Sequence, residues 1–331
     1  MKQIKAFGPQ DLRMVTSEVP TLAAEEVLID MKACGICGSD KWFWFVDGPH
    51  DYVAGHEVAG EVTAVGAGVR HLQPGDRVAV NNVKGCGTCT VCLAGQFVRC
   101  PNGITHMGFG FSEKIAVPER NCLKLDSTIN CEVGSLIFDN WGTPYSAISR
   151  TSMKSGDYVV VIGCGPIGLA AVRLAKLRGA IVAAVDPIPA RLEAAQRQGA
   201  AFVSSPNEAL ASELMQFTKQ QGADIVIECS GKSDSYKLAF SLLAIGSTLV
   251  SIGEGARFEL NSSDLIHKHI TVVASLYSTM EDGEQVQRLI VNGDIDPMAF
   301  VTHKFKLDDV PTQFGKVIEY DNGLLKSMVI C

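Results

Sequence analysis

Tyr158–Gly168 reads YVVVIGCGPIG, an apolar, β-branched run that ends in three glycines. It leads into PIGLAAVRLAKLRGA, whose apolar positions recur at helical period. Strand, glycine turn and helix in that order open a βαβ unit. Outward from this stretch the same texture repeats. IVAAVD is a second strand and PARLEAAQRQGA a helix. AFVSS with NEALASELMQFTKQQ, then ADIVIECSG with SDSYKLAFSLLA, continue the alternation, and STLVSIGE, LIHKH and TVVASLYS complete it. Such alternation predicts an α/β domain built on a doubly wound parallel sheet. The first ~140 residues differ, because EEVLIDMKA, GHEVAGEVTAVGAGV and GDRVAV alternate apolar residues with glycine punctuation, the signature of short strands and turns. After about Ser278 the strand–helix alternation is lost, and the tail is read as returning to the first domain.

Within GCGPIG, Gly163, Gly165 and Gly168 have the G-x-G-x-x-G spacing. The first glycine permits a tight turn, the second lets a pyrophosphate approach the backbone, and the third allows close helix–strand packing. Pro166 and Ile167 sit at the mouth of the helix, whose N-terminus offers oriented N–H groups to phosphates. Asp186 ends the next strand, 18 residues past Gly168. A carboxylate there accepts hydrogen bonds from the adenosine ribose and repels a 2′-phosphate. Arg191 points the other way, since it can meet that phosphate, or it can stack on the adenine. The expectation is a Rossmann domain holding NAD, with NADP the less favoured cofactor.

A chain of 331 residues accommodates about two domains. Net charge of −7 and a pI of 5.5 disfavour nucleic acid and anionic membranes as partners. No apolar run approaches the ~20 residues of a membrane helix. The first twenty residues carry no apolar core of a secretory signal, so a cytoplasmic location is expected. Thiols stay reduced there, and the eleven cysteines are not read as a disulfide framework. CGTCTVCLAGQFVRC instead spaces Cys86, Cys89, Cys92 and Cys100 as C-x2-C-x2-C-x7-C, with glycines in the turns. Four thiolates of this kind close around a tetrahedral zinc and leave no open position, so the site holds a loop and does no chemistry. An iron–sulfur cluster is the competing reading, but no other electron-transfer signature accompanies it. The isolated Cys122, Cys131, Cys164, Cys229 and Cys331 read as small hydrophobes.

KACGICGSD, Lys32–Asp40, leaves open whether Cys34 and Cys37 share a metal, form a redox pair or divide their roles. CGICGSD, GHEVAGEVTAVGAGV, GDRVAV, the four-cysteine lobe and GCGPIG fall in the order found in zinc-dependent medium-chain dehydrogenases, and the sequence resembles that family through essentially its whole length. With Gly38 after the second cysteine, it is most similar to the sorbitol, threonine and sugar-acid dehydrogenase branch. The resemblance implies a mostly β, GroES-like catalytic domain and a catalytic zinc held by Cys37, His56 and a carboxylate ahead of the nucleotide strand. LIFDNWGTPYSA offers Asp139, 24 residues before Gly163, while Cys34 falls to strand packing. Glu57 matches an acidic residue that can approach or bind the metal, Ser39 the hydroxyl that takes the substrate proton, and Asp40 the group that orients the ligand histidine. One thiolate, one carboxylate and a neutral imidazole offset Zn2+ to a roughly neutral, electrophilic centre. Family members often carry a histidine two residues after this aspartate. Here SDKWFWF places Trp42 there, which leaves Lys41, His50, or metal-bound water with Glu57 to pass the proton on. Trp42 is also a candidate wall of the substrate pocket, with Phe43 and Phe45 facing away from the tryptophans if the run is extended. His106, His267, His269 and His303 are read as structural or surface residues.

The expected division is a catalytic domain over 1–145 containing a zinc lobe at 84–101, an NAD-binding domain over 146–278, and a return to the catalytic domain over 279–331. The expected reaction moves a hydride from a secondary hydroxyl of a polyol, sugar acid or cyclitol to NAD+, giving a ketone. L-threonine or a simple secondary alcohol is the alternative substrate, and a zinc-containing, dinucleotide-sensing binding protein is the non-enzymatic alternative. The partners expected are a small alcohol and further copies of the chain, as a homodimer or homotetramer, with TVVASLYS apolar enough to pair across a two-fold axis.

Overall fold

The computed structural model describes residues 1–319 and 323–331. These residues form two compact units, one of Met1–Gly142 with Tyr277–Cys331 and one of Thr143–Leu276.

The second unit is built on YVVVI. Tyr158–Ile162 lies inside a six-stranded sheet, with Val159 to Ile162 buried. In spatial order the strands are Phe202–Ser204, Ile181–Val185, Tyr158–Ile162, Ala223–Glu228, Leu243–Ser251 and Thr271–Ala274, and each adjoining pair is parallel. Numbered along the chain this is 3-2-1-4-5-6, the doubly wound Rossmann order, whose topological switch falls beside the first strand. Central strands of such a sheet are covered on both faces, which explains why they read as unbroken apolar runs. Thr271–Ala274 forms one edge, and beside it Val272 and Leu276 are exposed.

The first unit carries a mostly antiparallel seven-stranded sheet. Its order is Val301–Lys306, Lys326–Ile330, Glu26–Ile36, Glu57–Val65, Arg77–Val80 and Cys122–Lys124, with Lys114–Pro118 also paired to Glu26–Ile36. Val27, Ile29, Met31 and Ala33 alternate inward along Glu26–Ile36, as a half-buried strand requires. From Ala33 onward every residue of this strand is buried, and the final strand, Lys326–Ile330, pairs antiparallel with this end. Phe43, Phe111 and Phe314 meet edge-on or tilted at 5.7–6.5 Å between ring centres and close the core beneath.

The aromatic run is not extended. Lys41–Phe45 is one turn of α-helix, so the inward pair is Phe43 and Trp44, while Trp42 and Phe45 are exposed. The preceding turn, Gly38–Asp40, starts this conformation, because the Asp40 carboxylate accepts the Cys37 amide at 2.9 Å. A strand would have put both tryptophans on one face. The helix separates them.

In the glycine turn of the second unit, Gly163 has φ +90°, a value that only glycine adopts without strain. A Cβ on Gly168 would overlap the Gly163 carbonyl, whereas one on Gly165 would meet nothing within 4 Å. Gly168→Ala should therefore destabilise the unit by about 2 kcal/mol through overpacking, while Gly165→Ala should change stability by less than about 0.5 kcal/mol. Thermal unfolding of the two variants checks this contrast, and equal melting temperatures would contradict it.

Candidate metal and dinucleotide sites

Among the described residues, two clusters of metal-ligating side chains lie in the first unit. In one, Cys86, Cys89, Cys92 and Cys100 bring their sulfurs within 4.8 Å of one another. Sulfurs about 2.3 Å from one zinc are about 3.8 Å apart in a tetrahedron. The Cys86–Cys92 and Cys89–Cys100 separations, 4.0 and 3.9 Å, match that edge. The lobe is built for this. Gly87 and Gly95 turn with positive φ, Cys89 caps the short helix Thr90–Leu93, and the Cys86 and Cys89 amides point at the sulfurs of Cys100 and Cys86 at 3.4 Å. Hydrogen bonds from Thr88, Asn102 and the Cys89 amide bring the Cys86 thiol down to about 5. Burial pushes Cys92 up to about 12, a burden that a cation between the four sulfurs would relieve.

The other cluster is assembled from distant stretches. Cys37 follows the end of Glu26–Ile36, His56 and Glu57 stand at the start of Glu57–Val65, and Asp139 lies on Ile137–Trp141. That last segment is a single π-helical turn, closed by the Trp141 amide on the Leu136 carbonyl at 3.1 Å. One extra residue in a turn swings a side chain round the helix, and here it turns Asp139 into the interior. A donor atom from each of Cys37, His56, Glu57 and Asp139 lies within 4.8 Å of the others. His56 Nε2 stands 3.3 Å from Asp139 Oδ2, the edge of about 3.3 Å expected for nitrogen and oxygen ligands on one tetrahedral zinc. Its other nitrogen, Nδ1, meets Asp40 Oδ1 at 3.1 Å, which fixes the ring.

Electrostatics also call for a cation. Burial opposes charge on His56, but the Asp40 and Asp139 carboxylates outweigh it and raise its pKa well above the usual value. Burial likewise opposes ionisation of Asp139, yet the hydrogen bond and charge of His56 hold its carboxyl below the ordinary range. The Cys37 thiol is pushed up by burial and then by Asp139. Burial brings the Glu57 carboxyl up to about 7 despite the Lys326 ammonium paired with it. A divalent ion can take the place of the protons that this cluster otherwise binds.

Cys34, three residues before Cys37, is not part of the cluster. It is fully buried in its strand, its Sγ 3.4 Å from the Gly35 carbonyl. Ser39 is exposed on the turn beside Cys37. Trp42 packs at 5.5–5.7 Å against the rings of Tyr52 and His50, and this aromatic group continues to Phe109.

In the second unit Asp186 is buried at the end of its strand. Its carboxylate accepts the Cys164 amide at 2.8 Å and the Ile188 amide at 2.9 Å. It therefore pins the glycine turn directly. Arg191 Nη1 lies 3.5 Å from the same carboxylate. Gly165 caps the helix Pro166–Leu177, with Pro166 at its first position.

Residues 23–127 match the alcohol dehydrogenase GroES-like domain, and residues 166–292 match the zinc-binding dehydrogenase domain. An uncharacterized zinc-type alcohol dehydrogenase-like protein of Escherichia coli K12 is 33% identical over 90% of this chain and 89% of its own. The chain belongs to the zinc-dependent medium-chain alcohol dehydrogenase family. Within that family, sorbitol dehydrogenase of Bacillus subtilis is 28% identical over 99% of this chain and 97% of its own length. A crystal structure of an alcohol dehydrogenase from Escherichia coli CFT073, complexed with NADH, superposes with a TM-score of 0.90 at 27% identity, covering 100% of this chain and 99% of that one. The fold of this medium-chain dehydrogenase is the family's: a GroES-like domain with a Rossmann domain.

Two residues of this dehydrogenase escaped the sequence reading. Lys326 is buried against Glu57, and burial lowers its pKa less than Glu57 and the neighbouring anions raise it. Nothing in GLLKSMVIC signals this, because a lone lysine beside an apolar strand reads as a solvent-facing charge. Tyr277 stands edge-on to His56, 6.2 Å between ring centres, and burial raises its pKa to about 12. Its only sequence cue was its place after the last apolar strand.

Two outcomes are expected. Cys100→Ser should lower the zinc content by one ion per chain, read by elemental analysis. At the Cys37–His56–Asp139 cluster, ion binding must displace the proton that the Asp40 and Asp139 carboxylates favour on His56. Metal affinity should therefore rise with pH by about tenfold per unit for each proton displaced. Titration against metal buffers between about pH 6 and 8 measures the slope, and a flat profile would contradict it.

Proposed function

We propose that this dehydrogenase oxidises a secondary hydroxyl of a polyol, sugar acid or cyclitol to a ketone, passing the hydride to NAD+. The observation that carries the reading is the convergence of Cys37, His56 and Asp139, with the 3.3 Å His56–Asp139 separation of a shared ion. A zinc held there by three protein ligands supplies a Lewis acid that favours ionisation of a substrate hydroxyl. Cys86, Cys89, Cys92 and Cys100 would hold a second, structural zinc.

The chain's own groups do the rest. Asp40 keeps the His56 ring turned so that Nε2 faces Asp139. Ser39, exposed on the turn beside Cys37, accepts the hydroxyl proton. His50 lies against Trp42, which stands where relatives often have a histidine, and His50 is the nearest imidazole along this aromatic group to pass the proton outward. The exposed face of Trp42 suits the C–H face of a sugar-like chain. The similarity to a sorbitol dehydrogenase supports this substrate class.

For the cofactor, Gly163, Gly165 and Gly168 with Pro166 and Ile167 form the phosphate turn, and the open space at Gly165 suits close approach of a pyrophosphate. Asp186 supports NAD over NADP, and its ion pair with Arg191 engages the cation that a 2′-phosphate would need. The exposed edge strand Thr271–Ala274 suits pairing with a second copy in a homodimer or homotetramer.

Zinc-loaded protein offered sorbitol, other polyols, sugar acids, cyclitols, L-threonine and simple secondary alcohols should reduce NAD+ fastest with a polyol, sugar acid or cyclitol, and should prefer NAD+ to NADP+. Preference for L-threonine, or no turnover with any of them, would overturn the reading. Replacing His56 by Ala should lower kcat by about a thousandfold or more, the several kcal/mol of charge stabilisation a metal supplies. An unchanged kcat would remove the metal from the chemistry.

A further inference from the structure

Lys326 is a buried cation with two partners. It stands at the start of the final strand, 2% exposed, where Ser327 pairs with Ile36. Its ammonium donates to the Ile36 carbonyl at 2.9 Å, one residue before Cys37, and forms an ion pair with Glu57 Oε1. Burying an ammonium is costly unless an anion awaits it, so the lysine is placed for that carboxylate.

Glu57 is held only at one end. Oε2 is buried and has no hydrogen-bond partner among the described residues. The carboxylate rests over Gly35, which pairs with Glu57 across the strands, and a Cβ on Gly35 would overlap it. From this place Glu57 still offers an oxygen within 4.8 Å of the donors of Cys37, His56 and Asp139. Charge balance sets the lysine's role. The Cys37 thiolate and Asp139 balance a divalent ion, Glu57 and Asp40 would take the site to a net negative charge, and Lys326 offsets the charge of Glu57.

We propose that Lys326 is a positioning residue that holds the Glu57 carboxylate off the metal, so that one coordination position stays open to substrate. The inference rests on the metal site proposed above. Without the ammonium, a buried carboxylate with a free oxygen beside a divalent cation turns onto it. The site then gains a fourth protein ligand and closes, as structural zinc sites do.

The test uses the holoenzyme with cobalt(II) exchanged into the Cys37–His56–Asp139 site and zinc kept in the four-cysteine lobe. The visible d–d absorption of cobalt reports its ligands. Lys326→Met should shift the cobalt spectrum, slow removal of the metal by a chelator by about tenfold or more, and lower kcat. Adding Glu57→Gln to Lys326→Met should return the spectrum and the chelation rate to those of the parent, and Glu57→Gln alone should leave the spectrum as it is. The proposal is overturned by a spectrum indifferent to Lys326→Met, by a shift that persists in the double variant, or by a shift in Glu57→Gln alone. If Lys326→Met does not fold, the double variant and Glu57→Gln carry the test, since a cobalt spectrum that differs from the parent in either overturns it and parent spectra in both support it. Failure of cobalt to enter any site beyond the four-cysteine lobe would overturn the metal-site reading together with this one. Two-site loading that ignores Lys326 would overturn this one alone.

Discussion

The constraint on which the first unit depends is the burial of negative charge. Asp40, Glu57 and Asp139 are 2%, 2% and 5% exposed, and the Cys37 thiol joins them. Carboxylates brought this far from water are tolerated only when cations and hydrogen bonds replace the lost hydration. Lys326 supplies one positive charge and the Cys37 amide one donor, and His56 lies between two of the acids. That is less than the cluster needs, and a divalent ion bound there would supply most of the remainder. A metal bound there would in this sense be part of the core, and its removal is expected to disturb packing as well as chemistry.

Backbone features that look like irregularities serve that cluster. The π-helical turn at Ile137–Trp141 brings Asp139 inward where a regular helix would carry it round the axis. Gly35 lies in the strand Glu26–Ile36 where the Glu57 side chain occupies the volume a Cβ would need. The turn Gly38–Asp40 places Asp40 under His56 while its carboxylate satisfies the Cys37 amide. Three departures from ideal elements thus hold three of the functional carboxylates in place.

What the sequence could reveal divides along range. YVVVIGCGPIG announced the parallel sheet because its strand, turn and helix are contiguous, and the four cysteines of the lobe span only fifteen residues. Even there, the sequence could assign Asp186 a ligand role but could not show that its carboxylate also holds the Cys164 and Ile188 amides. The Cys37, His56 and Asp139 positions were reachable only through the order of motifs, since no spacing rule links stretches so far apart. Lys326 was out of reach: its partner Glu57 is 269 residues earlier in the chain, and an isolated lysine carries no pattern. WFWF misled for a local reason. Alternation of two aromatic types mimics a strand, whereas the run forms one helical turn directly after the turn Gly38–Asp40, outside it.

The same difference in range separates the chemistry of the two metal sites. Ligands confined to one glycine-rich loop can move until every position around the ion is filled, so a local site tends to close. Ligands fixed on the ends of separate strands and on a helical turn cannot follow the ion inward, because each is held by the element it belongs to. A vacancy for substrate is then maintained by the stiffness of the fold, and closing it is left to any side chain that is both near and free to rotate. Glu57 is the near side chain here, its carboxylate resting over Gly35 and paired with Lys326. Keeping that site reactive therefore requires a restraint on this carboxylate as much as it requires the ligands themselves.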